Sequence, residues 1–136
     1  MKKSITQEFE YGCGIACFAF VLGVSYKDAL GLLSSKQATS DRFWVKDLNK
    51  ALVDQGLLYE RKYVKPHIFP YLLKEGAIVL IGRSKKYPSG HYLVRHKNTW
   101  MDPWINLPRS KNILAAKSGF RKRLPGIPKY VIYPLA

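Results

Sequence analysis

The residues in this chain best suited to covalent chemistry are gathered in one short stretch. Gln7 precedes Glu8-Phe9-Glu10-Tyr11, and Gly12-Cys13-Gly14 then opens the apolar run Ile15-Ala16-Cys17-Phe18-Ala19-Phe20-Val21-Leu22. A run with almost no polar side chain on any face predicts a helix buried all round. Cys13 then stands at the helix start, where free N–H groups and the positive end of the helix dipole favour a thiolate. Gly12 and Gly14 permit a tight turn and close backbone approach beside the sulfur. Gln7 can reach back with its side-chain amide as an oxyanion donor. Cys17 lies one turn inside the run, so it is expected to have the commonest fate of a free cysteine, that of a small buried hydrophobe. A Cys13–Cys17 disulfide is not expected, because Cβ vectors on successive helical turns converge poorly.

A cysteine nucleophile needs a base, and the base needs a group to orient it. Gly90-His91 stands at the mouth of an apolar segment, and Asp102-Pro103 closes the next one. With a hairpin turn centred on His96–Lys97, His91 lies directly opposite Asp102 on one sheet face, Cβ atoms roughly 5 Å apart. Asp102 can then hold the imidazole in one tautomer while its other nitrogen faces Cys13. A slip of one residue would put the pair on opposite faces, leaving a strand-end histidine and an ordinary Asp-Pro turn. A zinc site from Cys13, Cys17, His91 and His96 is disfavoured, since His91 and His96 are five apart in a strand and point to opposite faces. No Gly-rich phosphate loop and no G-x-S-x-G elbow is present.

Gln7, Gly12-Cys13-Gly14-Ile15-Ala16-Cys17, Gly90-His91-Tyr92-Leu93-Val94 and Asp102-Pro103, in that order, resemble the bacteriocin-processing, double-glycine leader peptidases. These are papain-like cysteine peptidases, and the resemblance spans residues 5–104. It implies Cys13 as nucleophile, His91 as base, Asp102 as orienting residue and Gln7 as oxyanion donor. It also implies a papain-like architecture with a cleft between helices and sheet. The chain departs from the family in having Gly12 where an acid is common and a short hairpin between His91 and Asp102. No transporter segment follows, and the basic stretch beyond Asn106 has no counterpart.

The elements that must carry these residues read as helices first and strands second, which indicates an α+β fold with N-terminal helices packed on an antiparallel sheet. Gly23 ends the first helix. Ser25-Tyr26-Lys27-Asp28 is a capping box opening a second helix to Leu33, and residues 34–40 read as loop. Ser40 or Asp41 caps a third helix to Gln55, with Trp44, Val45, Leu48, Ala51 and Leu52 at helical spacing. Leu57–Tyr59 is a short strand, and Pro66 and Pro70 bracket a short helical or turn segment that ends at Gly76. Ala77–Ile81 is a strand buried on both faces. His91–Arg95 and Thr99–Met101 form the hairpin, Ser110–Lys117 a short helix, and Tyr130–Tyr133 a last strand.

At 136 residues the chain suits one domain, 1–136. Aromatic content of 13% argues against disorder, and two cysteines are too few for a secreted disulfide scaffold. Lys2-Lys3 followed by an apolar stretch is not read as a leader, because Glu8 and Glu10 intervene. The run is too short to span a membrane, and a cytoplasmic setting is expected.

Charge divides the chain. Residues 1–60 hold seven basic and seven acidic groups, and residues 61–136 hold sixteen and two. That asymmetry points to an acidic partner, nucleic acid included, for the second half. The site chemistry points to a thiol hydrolase acting on a peptide or protein substrate, with neither metal nor cofactor required. The alternative is a nuclease (RNase) toxin or nucleic-acid-binding protein on the same scaffold, with Arg121, Lys122 and Arg123 as contacts and interleaved aromatics for stacking.

Overall fold

The fold is that of a computed structural model describing residues 2–107 and 109–135, Ser35 by its backbone alone. Helices α1 (Cys13–Leu22), α2 (Tyr26–Gly31), α3 (Ser35–Ala38) and α4 (Val45–Asp54) come first. Strand β1 (Tyr59–Tyr63), helix α5 (Phe69–Leu72) and strands β2 (Ile78–Ile81), β3 (His91–His96), β4 (Thr99–Asp102), β5 (Gly119–Arg121) and β6 (Pro128–Pro134) follow. The strands form one antiparallel sheet in the order β1-β6-β2-β3-β4-β5. The fold is therefore α+β, as its order of elements indicates.

Helix α1 is apolar all round because it is enclosed all round. Residues Gly14 to Phe20 are buried, and the helix packs on β3 and α2. Full burial of Ile15 and Phe18 contributes about 1.5–3 kcal/mol each. The sheet is covered on both faces. Ile78, Val94 and Met101 pack with α1, while Val79, Leu93 and Val131 pack with Ile68 and Leu72 on the other side. The unbroken apolar reading of β2 has this cause: β2 lies between β3 and β6 and faces a core on each side.

Helix starts follow local chemistry. The Asp28 N–H donates to Ser25 Oγ (3.1 Å) at the start of α2, and the Trp44 N–H donates to Asp47 Oδ2 (3.0 Å) at α4. Several expected boundaries differ. The one-turn helix α3 falls where a loop was expected. Strand β1 begins at Tyr59 and runs on through Glu60, Arg61 and Lys62. Only Tyr59 in it is buried, with Glu60 and Lys62 half-buried and Arg61 and Tyr63 exposed, so it carries no apolar run to mark it. The expected helix at Ser110–Lys117 shrinks to a 3-10 turn, Ile113–Ala115, capped by the Asn112 side chain. Strand β5 was not anticipated. No helix among the described residues is long and apolar enough to cross a membrane.

Candidate active site

Cys13 is the first residue of α1 and half-buried. A first-turn N–H has no partner within its own helix, so the Cys13 amide is available beside its own sulfur. The two flanking glycines are required by what packs on them. A Cβ on Gly12 would collide with the Tyr26 hydroxyl, which donates to the Gly12 carbonyl (3.2 Å). A Cβ on Gly14 would come within 2.8 Å of the Phe43 ring. Cys17 is wholly buried, and burial pushes its thiol well above the ordinary range. Both cysteines are free thiols.

His91 opens β3. Gly90 before it has φ +78° and hydrogen-bonds back to Tyr87, and a Cβ there would press on the Ile81 carbonyl at 2.9 Å. Only glycine fits that turn without strain. The turn brings the Tyr87 ring flat onto the His91 imidazole, centroids 4.8 Å apart and planes 3° apart.

The hairpin register differs from expectation by two residues. His96 pairs with Thr99 and Val94 with Met101, so the turn is Lys97–Asn98, not His96–Lys97. His91 and Asp102 are therefore not direct cross-strand partners. A slip of two keeps every side chain on its face, and the two side chains meet diagonally: His91 Nε2 to Asp102 Oδ1 is 2.6 Å.

Asp102 is completely buried, and both of its oxygens are used. Oδ1 also accepts the Trp104 N–H (3.0 Å), and Oδ2 accepts Arg121 Nη1 (3.1 Å). Burial alone would raise this carboxyl's pKa. Hydrogen bonds from His91, Trp104 and Arg121, with the His91 charge, hold it below the ordinary carboxylate range instead. For His91, burial disfavours the charged form. Hydrogen bonds and charge from Asp102 and Cys13 overcome this and raise the imidazole to about 9. With Nε2 taken by Asp102, the nitrogen left to face Cys13 is Nδ1. A thiol, an imidazole and a carboxylate in this series can form a thiolate–imidazolium pair.

Gln7 is buried beside this chain of groups, its N–H bonded to the Pro103 carbonyl (3.2 Å). Its side chain is engaged otherwise than expected. Nε2 donates to the carbonyls of Phe9 (3.0 Å) and Glu10 (3.2 Å). Reversing the amide would set its oxygen against both carbonyls, so this orientation is fixed. An oxyanion would receive a Gln7 N–H only by displacing one of those carbonyls.

A cavity of about 220 Å³ opens over these residues, lined by Cys13, His91, Gln7, Phe43, Tyr92 and Trp104 among others. The expected cluster Arg121, Lys122 and Arg123 is divided. Arg121, at the end of β5, turns inward onto Asp102, and its Nε donates to the Arg123 carbonyl (3.1 Å). Arg121 is the site residue that sequence reasoning placed elsewhere. The available signal was the shortage of acids in residues 61–136, which leaves Asp102 few competitors for a cationic partner. The chain matches no family model, and no curated protein is significantly similar to it.

Proposed function

We propose that the protein is a papain-like thiol hydrolase that cleaves peptide or amide bonds through Cys13, His91 and Asp102. One observation carries this reading: His91, buried at the cavity wall, is held by Asp102 on one nitrogen and faces the helix-start thiol of Cys13 with the other. His91 Nδ1 takes the thiol proton, and the thiolate attacks the scissile carbonyl carbon. The Cys13 backbone N–H receives the developing oxyanion, and Gln7 joins it if one of its carbonyl bonds yields. The imidazolium then protonates the leaving amine, leaving a thioester on Cys13. Water, deprotonated by His91, hydrolyses that ester and restores the thiol. Asp102 keeps the tautomer and stays ionised throughout.

The test is iodoacetamide labelling with mass mapping near neutral pH, beside cleavage of a mixed synthetic peptide pool. Cys13 is expected to be modified and Cys17 spared, with all cleavage lost in Cys13→Ser. Preferential modification of Cys17 in the folded chain would end the assignment.

A second reading, RNA as substrate of the same site, draws on one observation. Both acids of residues 61–136 are engaged internally, Asp102 with His91 and Arg121, Glu75 with His96 and the Lys97 N–H. The remaining cations of that half therefore meet solvent with little acidic offset. RNA cleavage abolished by Cys13→Ala would exchange the substrate while keeping the site.

A further inference from the structure

The rim of the Cys13 cavity is electrically divided. Lys85 and Lys86, from the loop between β2 and β3, and Lys111, from the segment after β4, line it on the sheet side. Glu10 and Asp41 line it on the helical side. All five are exposed, and none takes part in an ion pair among the described residues. The rim thus carries both signs of charge with no ion pair joining the lysines to the two acids among the described residues. The lysine loop is anchored. The Tyr87 N–H donates to Ser84 Oγ (3.2 Å), the Ser84 N–H to the Tyr87 carbonyl (3.1 Å), and the Tyr87 side chain is buried against His91. The Tyr87 ring that stacks on the imidazole thus also anchors the loop carrying the two lysines that precede it.

We propose that this cleft selects peptides bearing acidic side chains on the flank of the scissile bond that lies against Lys85, Lys86 and Lys111. The inference rests on the thiol-hydrolase reading and names its substrate class. Three ammonium groups around a low-dielectric cleft concentrate anionic ligands there. A nucleic acid fits less well, because it is charged at every unit and would set phosphates against Glu10 and Asp41. A peptide can be acidic on one flank only, and so matches a rim of two signs.

The experiment uses Cys13 as its own reporter. Rate constants for alkylation of Cys13 by anionic iodoacetate and neutral iodoacetamide are measured at low salt. Wild type is compared with a Lys85→Glu, Lys86→Glu, Lys111→Glu variant, with mass mapping to Cys13. The iodoacetate-to-iodoacetamide ratio is expected to fall on the order of fivefold in the variant, and the gap to narrow in 0.5 M salt. Circular dichroism checks that the variant folds, and single reversals, each with a smaller fall in the ratio, replace it if it does not. Protection of wild-type Cys13 from iodoacetamide is then measured with a decapeptide acidic in one half, its all-basic counterpart and a ten-nucleotide oligouridylate. Protection by the acidic peptide alone supports the proposal. A ratio unmoved by charge reversal overturns it, as does better protection by the oligouridylate. Cys13 inert to both reagents would instead remove the hydrolase reading beneath it.

Discussion

The β3–β4 hairpin carries a histidine–carboxylate pair at each end, and the two pairs have nearly the same bond length. At the open end His91 meets Asp102 at 2.6 Å, and beside the turn His96 meets Glu75 at 2.7 Å. Their surroundings separate them. The Asp102 side chain is 0% exposed and that of Glu75 57%. His91 stacks on Tyr87 and faces a thiol, whereas His96 packs against the rings of Phe20 and Phe120, 5.3 and 5.9 Å away. Asp102 has a cation behind it in Arg121, while the second oxygen of Glu75 accepts the Lys97 backbone N–H at 2.7 Å and so holds the turn. A histidine–carboxylate pair is thus not a site in itself. What distinguishes the first pair is a thiol on the free imidazole nitrogen and a carboxylate that solvent cannot screen.

The largest break in this comparison is expected from Asp102→Asn. Turnover on peptides should fall about 10³- to 10⁴-fold with the fold retained, because the imidazole loses the group that fixes its tautomer and stabilises its charge. The alkaline limb of the rate profile should also move. His91 is raised to about 9, so the imidazolium is lost as pH rises through about 9. Removing the carboxylate takes away the main group that raised it, and the limb should shift to lower pH. Stability follows the same sign. The His91 contribution is complete below its ordinary 6.5 and lost as pH rises through about 9. The Asp102 contribution is present above the ordinary carboxylate range and lost as pH falls. Thermal midpoints between pH 7 and 10 should therefore decline in wild type and stay flatter in Asp102→Asn. Unchanged turnover would reduce Asp102 to a turn former.

Arg121→Gln should lower turnover more weakly and move the alkaline limb in the opposite direction. Its guanidinium hydrogen-bonds Asp102 and would act through that carboxylate, so it is a positioning residue. Loss of its hydrogen bond should cost about tenfold in kcat with little change in KM. Removing a cation close to the His91–Asp102 pair favours the imidazolium, so the alkaline limb should move slightly upward, while Asp102 protonates at higher pH than before. Arg121→Lys should recover part of the loss. A profile identical to wild type would return Arg121 to the surface cluster.

These differences show what was legible in the sequence. Cys13 and His91 were legible because each stands at the edge of a strongly apolar run, where a polar side chain is hard to explain as core. The shared sheet face of His91 and Asp102 survived a wrong register because the error was even. The register itself was not legible. It depends on Lys97 at φ +55°, a conformation that lysine seldom takes unaided, and on Glu75, twenty-two positions earlier, capturing the Lys97 N–H. Arg121 was missed because Gly119–Arg121 is too short for any periodicity and lies among other cations. The hydrogen bonds of the Gln7 amide were not legible because its partners are backbone carbonyls, which carry no signature in residue type.

The smallest effect, and the sharpest control, is expected from Glu75→Gln. Burial would raise the Glu75 carboxyl, but the Lys97 N–H and His96 outweigh it and hold it below its ordinary value. Its stabilisation is thus present above the usual carboxylate range and lost as pH falls. Because its side chain is more than half exposed, solvent screens most of that interaction, and the loss of stability should stay under about 1 kcal/mol. Glutamine keeps an acceptor for the Lys97 N–H, so the turn and the register it sets should persist. Peptide turnover and the alkaline limb near pH 9 should match wild type, since Glu75 sits at the opposite end of the hairpin from Cys13. Denaturant unfolding at pH 7 and 4 beside a full rate profile separates the outcomes. A small stability loss at pH 7 that shrinks at pH 4, with the limb unmoved, keeps the two pairs distinct. A limb displaced as far as in Asp102→Asn would mean that the hairpin couples its ends, and burial of the carboxylate would no longer distinguish the site from the turn.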